Sequence, residues 1–368
     1  MAGIYFHIPF CKQRCSYCDF FSSTEIRQKE KYIDLLCKEL IERDNYLQEP
    51  IETIYFGGGT PTLLSSADFE KIFQTLYCIF GEDKNREITL EANPDDLTPK
   101  YLDSIKQFPF NRFSLGIQSF DDRELKLLNR RHDAQSAIHA VELLQQAGYD
   151  NISIDSMYGL PGQNIKIWND TLRQAIDLQI QHISAYHLTY EEGTPLYKQL
   201  KAGELTPVDE EMSIRLFEIL IDTLSAAGFE HYEISNFARS GFQSRHNRSY
   251  WNGTYYLGIG ASAHSYNGLS RQWNKKSLTP DYLSLGYEIE IIDDKTAYND
   301  FVITRLRTMK GMDLNELTSL FGESQKIYCL QQAQKHIANG LLHYEDNCLR
   351  LTRKGIFISD GIMSDLME

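Results

Sequence analysis

Apolar positions recur with two different periods along the chain. A short apolar run at Gly3–Ile8 reads as a strand, and a helix is predicted near Glu25–Tyr46, with Tyr32, Leu35, Leu36, Leu40 and Leu47 at helical spacing. The unit then repeats. Strands are predicted at Thr53–Phe56, Glu87–Ala92, Arg112–Gln118, Asn151–Met157 and His182–Leu188, separated by helical patterns such as Ala134–Ala147 and Ile167–Gln179. Six such units imply an α/β fold with parallel strands under covering helices. Ligands in that architecture sit at the carboxyl ends of the strands, where this chain places Gly57-Gly58-Gly59, Glu91, Gln118 and Asp155. The pattern loosens near Glu230, where Tyr, Gly, Asn and Ser become frequent up to about Gly286, and a boundary is expected in the Gly193–Pro207 connection. A helical tail begins near Thr296. Within it, Leu314–Phe321 and Ser324–Ala338 read as two helices, followed by a hairpin-like Leu341–Tyr344 and Cys348–Thr352, an α+β arrangement that is winged-helix-like at its end. The expected division is 1–200, 201–295 and 296–368.

Composition narrows the class. In 368 residues, 42% hydrophobic and 24% charged positions are ordinary globular usage and exclude a disordered or collagenous chain. No apolar run approaches the roughly 20 residues of a membrane span. Lys and Arg total 37 against 51 Asp and Glu, a formal charge of −14, which removes the electrostatic footprint of nucleic-acid binding. The helix in the recognition position of the winged-helix-like tail carries only Lys326 and Lys335, so an accessory packing role is expected there. Met1–His7 lacks a basic region followed by an apolar one, which points to a reducing, cytoplasmic setting. Seven cysteines, an odd number, argue against a disulfide framework: Cys11, Cys15 and Cys18 are crowded together, while Cys37, Cys78, Cys329 and Cys348 are scattered and read as plain hydrophobic residues.

Cys11, Cys15 and Cys18 form C-x-x-x-C-x-x-C directly after a strand, a spacing that can converge three thiolates on one cubane and leave one iron open. The alternative is zinc, which takes four ligands in a structural site, the fourth being His7. Gly57-Gly58-Gly59-Thr60-Pro61-Thr62 fits neither a P-loop nor a dinucleotide fingerprint, and reads either as a turn or as a close backbone approach to a ligand. His7-Ile8-Pro9-Phe10-Cys11 with Cys15, Tyr17 and Cys18 resembles the radical S-adenosylmethionine superfamily, and the glycine run resembles that superfamily's motif for the methionyl amino group. The resemblance implies an incomplete parallel (β/α)6 barrel, a [4Fe–4S] cluster on Cys11, Cys15 and Cys18, and S-adenosylmethionine held at the open iron for reductive cleavage to a 5′-deoxyadenosyl radical.

Leu90–Pro94, Gly116–Phe120, Asn129–His132 and Ile154–Gln163 are similar to the oxygen-independent coproporphyrinogen III oxidase family and its HemW-like heme chaperone relatives, over nearly the whole chain. By that resemblance, Tyr5, Gly58, Gly59, Thr60, Glu91, Gln118, Arg130 and Asp155 surround S-adenosylmethionine, with Tyr17 near its adenine. Glu91, Gln118 and Asp155 suit ribose hydroxyls or amines and Arg130 suits a carboxylate; the lesser alternative is that Glu91 and Asp155 cap the helices that follow them. Three features separate the branches. Cys18 is followed by Asp19 and Phe20 where the oxidases have Gly and a fourth Cys; the first strand begins at residue 3, without the oxidases' N-terminal extension; and His246-Asn247-Arg248-Ser249-Tyr250-Trp251 resembles the HemW-like H-N-x-x-Y-W motif associated with heme. A neutral His246 can ligate heme iron, with Asn247, Tyr250 and Trp251 beside the macrocycle, or it can be a structural histidine. Leu257–His264 reads as a closely packed strand, with His264 a lesser ligand candidate. The expected function is a heme chaperone that passes heme to an acceptor such as a respiratory apoprotein, its cluster supporting assembly or contact with a membrane heme donor. The alternative is an oxidase-like enzyme acting on a tetrapyrrole. No nucleic-acid partner is expected, and nothing in the sequence sets the oligomeric state.

Overall fold

The computed structural model describes residues 1–368. Six parallel strands build its centre: β1 (Ala2–Ile8), β2 (Ile51–Gly58), β3 (Glu87–Ala92), β4 (Arg112–Gln118), β5 (Ile152–Tyr158) and β6 (His182–His187), paired in sequence order. Alternation decides which side chains face which way. Even-numbered positions of β1 and β2 face the covering helices. Phe6 stacks on Phe56 at 4.8 Å between ring centres, and Phe56 meets Phe69 and Phe73 of the helix Ser66–Phe80. Odd-numbered positions face the lumen, where Tyr5 stacks on Tyr55 at 6.0 Å. The helices start where capping side chains occur. Ser65 and Asp68 form a capping box, and Asp133, Asn164 and Asp209 each accept a backbone N–H at the head of their helices.

The sheet does not stop at six strands. β7 (Glu230–Glu233) and β8 (Asn236–Ala238) add antiparallel beyond β6, while β9 (Tyr255–Ile259) runs parallel to β1 on the opposite side. β10 (His264–Tyr266), β11 (Ser270–Asn274) and β12 (Tyr287–Ile291) then continue antiparallel, giving one twelve-stranded, open sheet. The 201–295 segment therefore contributes strands to the barrel's own sheet. Leu257–His264 is not the single strand that the sequence suggests: β9 ends at Ile259 and the chain turns back into β10 at His264, and the close packing lies inside this hairpin, where a Cβ on Gly258 would be 2.1 Å from the His264 carbonyl oxygen. At the C-terminus, the helices Asp294–Leu306, Leu314–Phe321 and Glu323–Ala338 precede the hairpin β14 (Leu342–Glu345) and β15 (Cys348–Leu351), with β13 (Met312–Asp313) beside β15. This is the winged-helix-like shape that the sequence predicts.

Candidate cofactor site

A cavity of about 430 Å3 opens at the carboxyl ends of the parallel strands, lined among others by Cys11, Cys15, Tyr17, Cys18, Gly58, Gly59, Thr60, Glu91, Gln118, Arg130 and Asp155. The loop bearing the cysteines leaves β1 and is clamped against the turn after β4. The Gln13 side chain donates to Asn129, the Asn129 side chain donates to the Arg14 carbonyl, and the Ser16 hydroxyl donates to the Leu127 carbonyl. An ion-pair knot holds its base. Asp96, buried, accepts from Lys12 at 2.5 Å, Thr62 at 3.2 Å and Arg131 at 3.1 Å.

Three thiols at one cavity mouth suit an iron–sulfur cluster better than a hydroxylic metal site. Two donors already point at them. Arg130 Nη1 lies 3.1 Å from Cys15 Sγ and Thr60 Oγ1 lies 3.6 Å from Cys11 Sγ, as expected where thiolate charge is to be stabilised. Burial pushes the free Cys11 thiol up and that of Cys18 up to about 11, so these sulfurs become anionic only against a positive partner. His7 does not offer a fourth ligand for zinc. It is buried, with Nε2 on the Phe21 carbonyl at 2.9 Å and Nδ1 on the Tyr5 hydroxyl at 3.1 Å.

The glycine run is shaped by its neighbours. Gly58 has φ +107°, and a Cβ there would strike the His7 ring at 2.6 Å; a Cβ on Gly59 would lie 2.8 Å from the Phe10 carbonyl oxygen. Behind it stand two carboxylates. Glu91 accepts from the Tyr55 hydroxyl at 2.8 Å and the Gly58 N–H at 3.1 Å, so it braces β2 against β3 rather than capping a helix. Burial, reinforced by the charge of Asp155, lifts Glu91 to about 7; burial lifts Asp155 to about 6, opposed by Arg112 and by the Ser114 hydroxyl. Gln118 ends β4 with φ +73°, a conformation costly for a residue with a Cβ by about 1–3 kcal/mol, held where the ladder with β5 shifts register. Arg130 spans the site, with Nη2 donating to Asn93 Oδ1 at 2.6 Å and to the Gly116 carbonyl. Asn93, inside the Leu90–Pro94 motif, is a site residue to which the sequence attaches no role. Its side chain bridges Arg130 and Thr60, the latter at 3.0 Å, and only the fold reveals that bridge.

The structure separates the remaining candidates from this cavity. Tyr5 lies deeper in the lumen, beneath the glycine run. His246, Asn247, Tyr250 and Trp251 belong to the short helix Arg245–Trp251, which plugs the amino end of the barrel. His246 stacks on Tyr55 at 5.0 Å, is 1% exposed, and has both ring nitrogens engaged, Nδ1 with Thr53 Oγ1 at 2.8 Å and Nε2 with the Tyr250 hydroxyl at 2.9 Å. Burial lowers its pKa to about 3, which keeps the ring neutral. Trp251 lies under the Arg307 guanidinium at 4.7 Å, and Asn247 is half-buried on the plug. His264 is exposed and stacks on Trp273 at 5.8 Å.

Comparison with known proteins agrees with this geometry. Residues 5–175 match the radical SAM superfamily and residues 292–358 match the HemN C-terminal domain. Heme chaperone HemW of Bacillus subtilis is 31% identical, the match covering 98% of each chain. Radical S-adenosyl methionine domain-containing protein 1, mitochondrial, of Danio rerio is 34% identical over 100% of this chain and 87% of the relative. Among solved structures, coproporphyrinogen III oxidase (HemN) of Escherichia coli superposes with a TM-score of 0.86 over 100% of this chain and 90% of that one; at 22% identity this establishes the shared fold. The superfamily match implies a [4Fe–4S] cluster and S-adenosylmethionine, which the thiols and the cavity fit. The chain belongs to the radical SAM superfamily and, within it, to the HemW family.

Proposed function

We propose that this chain is a heme chaperone, which binds heme and transfers it to an acceptor apoprotein while carrying a [4Fe–4S] cluster and S-adenosylmethionine at the carboxyl end of its barrel. The carrying observation is the likeness, over almost the full length of both chains, to Heme chaperone HemW of Bacillus subtilis. In this reading Cys11, Cys15 and Cys18 would hold the cluster, beside the methionyl end of S-adenosylmethionine. Gly58, Gly59 and Thr60 receive the amino end through backbone and hydroxyl groups, Arg130 meets the carboxylate, and Glu91, Gln118 and Asp155 face the ribose and sulfonium side. Tyr17, packed against Leu128, Met157, Leu160, Leu188 and Leu196, offers a ring to the adenine. Tyr5 supports the pocket floor from below through His7. When bound and reduced, the cluster supplies an electron to the sulfonium.

Heme is assigned to the other end of the barrel, with His246 as its iron ligand. The imidazole is held neutral, the form that coordinates iron. Its Nδ1 is engaged by Thr53 and its face by Tyr55, both on β2, so ligation requires the Arg245–Trp251 helix to withdraw from the barrel floor, which frees Nδ1 and exposes the ring. Asn247, Tyr250 and Trp251 move with it and furnish polar and aromatic surface beside the macrocycle. No helix of the chain is long and apolar enough to cross a membrane. In this reading the chain works in the cytoplasm and meets a membrane heme donor at the membrane surface. The test is transfer. Heme-loaded protein incubated with a heme-free cytochrome should convert it to the holo form, and anaerobic incubation with coproporphyrinogen III, S-adenosylmethionine and reductant should release no carbon dioxide. Carbon dioxide release without heme transfer would move the chain to the oxidase reading.

A further inference from the structure

Arg112 is among the largest fully buried side chains in the molecule: it is 1% exposed on β4, and none of its three guanidinium nitrogens has a hydrogen-bond partner. Its lateral neighbour on β3, Thr89, is 0% exposed and also leaves its hydroxyl unpaired. Both occupy one layer of the lumen, between the His246 plug below and the cofactor cavity above. A desolvated guanidinium needs compensating charge, so every ionisable group facing it matters. On the plug side, His182 has both ring nitrogens engaged, by Ser153 and Tyr232, and burial keeps it and His246 neutral. Glu87 is consumed by the backbone N–H groups of Arg245 and His246. Tyr55, Tyr232 and Tyr250 are driven away from ionisation by burial. On the cavity side stand Glu91 and Asp155, neither of which has a salt-bridge partner; Arg130 beyond them also favours the Asp155 carboxylate, with both its Nη atoms on Cys15, Asn93 and Gly116 and its Nε left free for a ligand.

We propose that Arg112 is a positioning residue of the S-adenosylmethionine site: from beneath the cavity floor, through bridging water, it favours the carboxylate forms of Glu91 and Asp155 and thereby raises the affinity for a cationic ligand near neutral pH. An unpartnered guanidinium beside the unpaired Thr89 hydroxyl offers buried water two anchors from which to bridge. Without the guanidinium, two buried carboxyls that repel each other take up protons at higher pH, and the attraction for a sulfonium and an ammonium group falls. The inference rests on the assignment of Glu91 to the S-adenosylmethionine site.

The experiment measures S-adenosylmethionine affinity by equilibrium dialysis on anaerobically reconstituted protein from about pH 5.5 to about pH 9, for the parent, Arg112→Gln, Arg112→Lys and Glu91→Gln, with iron content and cluster EPR matched. The parent should gain affinity as pH rises through the Glu91 range. Arg112→Gln should shift that midpoint up by about one unit or more, bind about tenfold more weakly at neutral pH and recover at high pH, while Arg112→Lys follows the parent. An unchanged midpoint in Arg112→Gln, or a loss equal at every pH, overturns the inference. If Arg112→Gln does not fold, infrared difference spectra of the parent decide. S-adenosylmethionine binding at pH near 8 should remove no protonated-carboxyl band, and such a band would overturn the proposal. Parent-like binding by Glu91→Gln would instead overturn the site assignment on which it rests.

Discussion

Glu91 shows how a single residue couples stability to ligand binding. Its folded pKa is raised to about 7, above the ordinary carboxyl value, so between about pH 4.5 and pH 7 the folded state holds more protons than the unfolded one. Stability of the cofactor-free protein therefore falls as pH rises through that window. Glu91→Gln should raise the melting temperature of the cofactor-free protein at pH 8 while weakening S-adenosylmethionine binding, measured by calorimetry and dialysis on the same sample. Gly59→Ala tests the steric argument: a methyl driven against the Ile8 and Phe10 carbonyls must displace the cysteine loop, and bound iron per chain should fall several-fold. At this scale the sequence is informative where chemistry is concentrated, as at the cysteines and glycines. It is silent where meaning comes from burial. Arg112 sits in a strand pattern that says nothing of its missing partners, and His246 carries a motif but not the fact that Tyr250 and Thr53 already occupy its nitrogens.

Elements are positioned by local signals that a single sequence displays well. Glu87–Ala92 and Arg112–Gln118 have the predicted bounds, because a change of period at each end leaves little ambiguity, and Ser65, Asp133 and Asn164 mark helix starts with caps. The strands β9 to β12 are less legible. They are short and carry polar residues at many positions, so their membership in the barrel's sheet follows from pairing with β1 and not from pattern. The helix Pro195–Lys201, inside the predicted connection, is signalled only by Thr194-Pro195 at its start. Two predictions belong here. Ser65→Ala removes one half of a capping box and should cost about 1 kcal/mol in denaturant unfolding. Asp96→Ala removes the buried acceptor that Lys12, Thr62 and Arg131 share, Arg131 keeping only Asp95; it should destabilise by about 1–3 kcal/mol and loosen the cysteine loop, read as faster loss of the cluster to a chelator.

Across the whole molecule, two ends of one barrel are tied together through its lumen. The carboxyl end gathers thiols, glycines and carboxylates, and the amino end is closed by a helix that the C-terminal segment holds in place. Arg305 donates to the Trp251 carbonyl at 2.6 Å and the Asn252 carbonyl at 3.3 Å, and Arg307 covers the Trp251 ring. Release of the plug therefore involves the C-terminal segment. Arg305→Ala should speed amide hydrogen exchange across residues 245–251 and accelerate heme uptake, with no change in cluster content. The barrel and the winged-helix-like tail are both readable from the order of strands and helices, whereas this coupling is not, since Trp251 and Arg305 are far apart in sequence. The central claim is that the chain carries heme through His246. The most direct test is an absorbance-followed heme titration of anaerobically reconstituted protein, with parent and His246→Ala at equal cluster occupancy. The account predicts saturation near one heme per chain in the parent and clearly weaker binding in the variant. Equal binding by the two, or no saturable binding at all, would contradict it.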